Sequence, residues 1–158
     1  MANPDVANGF AFERRVGGGA GVPLEEAYTY SNVTLAAGDA LEVSDGLLIL
    51  ADTSATKLHG IAAEAITGVT ATRQKVAFYP ALPDMIFSGQ CDGDASESDL
   101  GAHKGIVGTT GAQEIDSTGT TTSVLNIIGL KDGSTWDSHA RMLFTIRRSS
   151  FTGQTEGD

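Results

Sequence analysis

ALEVSDGLLILADTS, residues 40–54, places Leu41 and Val43 at alternate positions of one run and the aliphatics Leu47–Leu50 in a second, with Asp45-Gly46 between them. Asp-Gly is the pair a two-residue type I′ turn asks for, because both central residues need positive φ. The segment predicts a β-hairpin. The second run then delivers Asp52-Thr53-Ser54, which reads either as a polar strand end or as a candidate catalytic carboxylate.

The β pattern continues outward on both sides. In KLHGIAAEAITG, residues 57–68, Leu58, Ile61 and Ala65 also fit a helical spacing, but Gly60 and Gly68 favour a strand or a short irregular element. RQKVAFYPALPDMIFSG, residues 73–89, supplies Val76, Phe78 and Met85-Ile86-Phe87 around two prolines, the pattern of strands at a sheet edge or broken by a bend. TTSVLNIIGL and ARMLFTIRRSSF predict paired strands joined by a loop over 131–140, with Met142, Phe144 and Ile146 on one face. Twenty glycines, frequent threonine and only four prolines favour many short strands over helices. The expected fold is all-β: a small β-barrel or β-sandwich of short antiparallel strands, with at most one short helix and a flexible N-terminal arm.

The 158 residues fit one domain of ordinary size. Residues 1–23 read as an arm, where Phe10, Phe12, Arg14, Arg15 and Val16 precede the glycine run 17–21. Residues 24–151 read as a β-rich core, divisible into lobes near 24–90 and 100–151, and 152–158 as a polar tail.

A formal charge of -10 repels phosphate backbones and anionic lipid surfaces, so neither nucleic acid nor membrane is an expected partner. The lone Cys91 allows no intramolecular disulfide and no cysteine-based zinc site. The start of the chain lacks the apolar core of a signal peptide, and no run approaches the roughly 20 apolar residues of a membrane span. A soluble protein that uses no signal peptide is expected.

Motifs for chemistry are sparse. Two halves of a retroviral-type aspartic protease have echoes in ILADTSA and in NIIGL, residues 126–130, which would put Asp52 to work in a dimer, two carboxylates sharing one proton. Ser54 replaces the usual glycine, however, and Asp-Thr-Ser is a favoured strand end because Asp and Ser side chains bond nearby backbone N–H groups. Asp92, Asp94, Ser96 and Ser98 have the alternate-oxygen spacing that opens a calcium loop, but Glu97 and His103 stand where its glycine and bidentate glutamate belong, so a solvated loop is expected over Asp92–Asp99. His59, His103 and His139 share no ligand spacing. No nucleophile elbow, Walker loop or zincin motif occurs. No catalytic residue, metal or cofactor is expected.

The succession VTLAAGDALEV, LLILAD, LHGIAAEAITG and KVAFYPA, followed by EIDSTGTTTSVLNIIGLKDGSTWDSHARMLFTIRRSSF, resembles the small decoration or cement proteins of tailed bacteriophage capsids over about residues 27–151. The resemblance rests on glycines and aliphatics with no invariant chemical motif. It implies a structural virion protein on the capsid exterior, made in the host cytoplasm. Its partner would be the major capsid protein, and its copies would group as a homo-oligomer, a trimer at a local symmetry axis. Phe10, Phe12, Arg14, Arg15 and Val16 are then the expected capsid contact, as an added strand with two basic side chains. A β-rich binding module on the virion is the neighbouring reading, and the Asp52 protease the enzymatic one.

Overall fold

The computed structural model describes residues 3–19, 21–118 and 122–151. Asp45 and Gly46 both take positive φ, 48° and 78°. The turn sets Ser44 opposite Leu47 and Leu41 opposite Leu50, so the hairpin forms in the register the sequence predicts.

In chain order the strands are β1 (Ala11–Arg15), β2 (Glu25–Tyr28), β3 (Ala40–Ser44), β4 (Leu47–Leu50), β5 (Gly60–Ala62), β6 (Lys75–Pro80), β7 (Met85–Gln90), β8 (His103–Lys104), β9 (Ile106–Val107), β10 (Glu114–Ile115), β11 (Leu125–Leu130) and β12 (Arg141–Ile146). A single 3₁₀ turn, Glu97–Asp99, is the helical content of the described residues. One five-stranded sheet runs β1-β7-β12-β11-β8, a second runs β2-β6-β5-β3-β4, and β9 pairs with β10 in a small ribbon. All pairings between these strands are antiparallel. The fold is all-β and sandwich-like. No sheet closes into a barrel, although an isolated bridge from Thr29 to Leu48 brings the two outer strands of the second sheet together.

Register builds the core. Phe12 faces Phe87, Phe87 faces Phe144, and Phe144 faces Ile127, so four strands of the first sheet present one apolar row. Phe87 and Phe144 stack with ring centroids 5.9 Å apart, and Phe12 stacks on Tyr79 of β6 at 5.2 Å, joining the sheets. The larger cluster includes Met85, Phe87, Ile127, Met142 and Phe144 from the first sheet and Ala40 and Ile61 from the second. The opposite side of the second sheet buries Leu41, Leu48, Val76 and Phe78 with Leu35 in a smaller cluster. The two expected lobes thus share one core.

Of the two readings of the prolines the bend holds and the edge does not: β6 lies between β2 and β5, β7 lies between β1 and β12, and residues 81–84 carry the chain from one sheet to the other. One sequence expectation changes: in place of the expected flexible arm, residues 11–15 form a strand. β1 pairs with β7, Phe10 is 4 % exposed, and Phe10 N–H donates to Gly38 O at 2.8 Å. Burial of Phe10 and, in part, Phe12, together with the pairing to β7, offsets the cost of ordering the segment. Gly38 makes the close approach possible, with φ at 94° and room for no Cβ, which would lie 2.8 Å from Phe10 O.

Candidate functional site

Of the five residues expected to contact a capsid, the structure brings two to the surface. Phe10 sits in the core and Phe12 packs partly buried against it. Arg15 is held by Asp84, donating from Nε at 2.6 Å and from a second guanidinium nitrogen. A bulge between Phe12 and Arg14 turns the register, and Arg14 and Val16 are exposed, Val16 at 59 %. β1 is an outermost strand of its sheet. Val22, Leu24 and Tyr28, the last on β2 with Lys75 Nζ 5.5 Å from its ring centroid, are also exposed. Residues 14–28 therefore carry four large exposed apolar side chains and one exposed cation.

Asp52 lies beyond β4 in an exposed turn. Its Oδ1 accepts from Ser54 N–H at 2.7 Å and Ser54 Oγ at 2.6 Å. The hydroxyl and backbone hydrogen bonds of Ser54 hold the Asp52 carboxyl below the usual aspartate range. A proton-sharing pair needs a second carboxyl close enough that one of the two is pushed up. Two acids of the Asp92–Asp99 segment are likewise engaged: Asp92 Oδ1 accepts Ser117 N–H, Asp99 Oδ2 accepts Ser96 N–H, and Asp99 pairs with Lys104 at 2.8 Å. His59 Nδ1 lies 3.0 Å from Ser150 Oγ, and its ring packs against Phe78 and Phe151, tying the turn at 149–151 to the residue before β5.

The solvent-side face of the first sheet carries a polar network that the sequence does not announce. Ser88 of β7 donates to Glu13 Oε1 at 2.5 Å, and Lys131 Nζ meets the same oxygen. Burial raises Glu13, but the hydrogen bonds of Lys131 and Ser88 outweigh it, and the carboxyl titrates below the usual glutamate range. Two residues along β7, Gln90 is 2 % exposed. Its Nε2 donates to Asp5 Oδ1 at 3.0 Å and to Glu114 Oε1 at 2.8 Å, and its Oε1 accepts Val6 N–H at 2.9 Å.

His139 completes this group. It lies just before β12 with φ at 55°, and its Nδ1 is buried without a hydrogen-bond partner, 3.7 Å from Asp5 Oδ1. Among the described residues, Asp5, Glu114 and His139 are the donors that converge, each offering a ligand atom within 4.8 Å of the others. Asn3 anchors the segment that carries Asp5: its Nδ2 donates to Thr135 O and Ser138 O, and its Oδ1 accepts from Thr135 N–H. A cavity of about 210 Å³ lined by Asn3, Gln90, Lys131, His139 and Arg141 opens beside the group.

Comparison of the chain with family models, curated proteins and solved structures gives no match.

Proposed function

We propose that this chain is a structural virion protein that binds the outer surface of a bacteriophage capsid and stabilises the assembled shell. Its docking edge would run from Arg14 to Tyr28. The observation that carries the reading is outermost strand β1 with exposed Arg14, followed along the chain by exposed Val16, Val22, Leu24 and Tyr28. Large apolar side chains left exposed in one stretch of chain offer contact to another protein, and an open strand edge can accept a further strand. The resemblance of the sequence to phage decoration proteins supplies the kind of partner, the major capsid protein. Grouping as a homotrimer would let each copy clamp neighbouring capsid subunits, and binding that requires the assembled lattice would stabilise it by mass action. The protease reading has less support, because the carboxylate of Asp52 is engaged by Ser54 in its own turn.

Removing the N-terminal residues is a poor test, since β1 belongs to the sheet. The test is co-sedimentation of the wild type and an Arg14→Glu/Val16→Asp variant with expanded capsid shells, with the oligomeric state of each measured in solution. Wild type saturates the shells, and the variant binds at least tenfold more weakly while keeping its β circular dichroism. A folded variant that saturates shells equally, or a wild type that does not bind, overturns the proposal.

A further inference from the structure

We infer that Asp5, Glu114 and His139 form a site for one divalent transition-metal ion of the Zn²⁺ type, which fastens the N-terminal segment onto the outer face of the first sheet.

The donors come from three places in the chain: the segment before β1, the strand β10 and the loop entering β12. One imidazole nitrogen and two carboxylate oxygens are a donor set that Zn²⁺ accepts, with water in the fourth position. Such an ion holds its ligands at about 2.1 Å, which puts tetrahedral donors roughly 3.4 Å apart. His139 Nδ1 and Asp5 Oδ1 are already 3.7 Å apart, too far for a hydrogen bond and close to the separation of two ligands on one ion. The remaining adjustment falls to Asp5, whose side chain is 68 % exposed and is held through Oδ1 by the Gln90 amide.

Two observations separate this group from a chance meeting of acids. His139 Nδ1 is buried without a hydrogen-bond partner and faces Asp5 Oδ1 across 3.7 Å, so the atom that would bind an ion is aimed into the cluster. Gln90, almost fully buried, donates through one nitrogen to both carboxylates, the outer support that orients metal-ligating oxygens. Hydrogen bonds on both sides of Asp5, from the Asn3 side chain to Thr135 O and from Val6 N–H to Gln90 Oε1, position the segment. Asp5 and Glu114 contribute two negative charges, which a divalent cation neutralises.

The test is calorimetric titration of the full chain with ZnCl₂, repeated on Asp5→Asn, Glu114→Gln, His139→Asn and the control His103→Asn. Asparagine at 139 accepts the positive φ, and Asp5 is exposed, so these variants keep the fold; circular dichroism without metal checks each. One ion binds per chain, at least tenfold more weakly in the three ligand variants and unchanged in the control. Co²⁺ gives visible absorption bands that the same variants lose, and saturating Zn²⁺ raises the thermal midpoint of wild type by several degrees. Absence of saturable binding to wild type overturns the site, as does binding that folded Asp5→Asn and Glu114→Gln retain at full strength.

Discussion

The carboxylate of Asp39 accepts the backbone N–H of Gly111, 72 residues further along the chain, at 2.8 Å through Oδ1, while Oδ2 accepts Ala36 N–H at 2.8 Å. Asp39 is fully buried at the start of β3, so one side chain joins the entry to the central hairpin to the loop before β10. Asp39→Ala leaves both N–H groups without that acceptor and costs about 2–4 kcal/mol in urea unfolding. A loss near zero would mean that water replaces both bonds.

The same carboxyl has a pH signature. Burial raises Asp39 above the ordinary 3.8 despite its two N–H donors. The native state therefore holds this proton to higher pH than the unfolded chain, and the group's contribution falls as pH rises from 3.8 through the folded value. Asp39→Asn imitates the protonated form and lacks the slope, so its deficit relative to wild type is larger at pH 3.5 than at pH 7. Parallel stability curves would refute this.

His59 works in the opposite sense. Burial lowers its pKa from 6.5, so the native state binds fewer protons than the unfolded chain. Its contribution is complete above pH 6.5 and is lost as pH falls below it. The thermal midpoint of wild type drops between pH 7.5 and pH 5.5. His59→Phe keeps a ring between Phe78 and Phe151 and shows a smaller drop. An equal drop in both would place the titration elsewhere.

Two glycines with similar φ separate backbone strain from collision. A Cβ at Gly46 meets nothing within 4 Å, so Gly46→Ala costs only its left-handed conformation, about 1 kcal/mol. A Cβ at Gly38 also runs into Phe10 O, and Gly38→Ala costs upwards of about 3 kcal/mol. Equal midpoints in chemical denaturation would show that the Phe10 backbone yields freely.

What was legible in the sequence was local. Asp45-Gly46 announces its hairpin because the turn's φ requirement is written in the turn residues, and Met142, Phe144 and Ile146 announce their face because a strand's period is two. Residues 1–23 read as an arm because they are polar, glycine-punctuated and poor in long apolar side chains, and what decides the state of β1 is β7, about 75 residues away, whose Phe87 and Ser88 receive Phe12 and Ala11. The bulge at Glu13 is equally silent in the sequence, yet it directs that carboxylate to Ser88 and Lys131. Asp5, Glu114 and His139 follow no spacing rule, since three separate segments supply one donor each. Only the buried Gln90, reached by all three segments' neighbours, makes them one group.

The reassignment of β1 from arm to core makes a last prediction. Phe10 is 4 % exposed and meets Phe144 edge-on at 5.4 Å between centroids, whereas Val16, six residues on, is 59 % exposed. Phe10→Ala removes a core aromatic and costs about 3–5 kcal/mol, while Val16→Ala stays within about 0.5 kcal/mol of wild type. Hydrogen exchange separates a local from a global loss: because β7 is central to its sheet, Phe10→Ala speeds exchange at Phe87 and Ser88 as well as along β1. A small cost confined to β1 would return residues 1–16 to the status of a detachable arm, and deleting them would again be the direct way to test capsid binding.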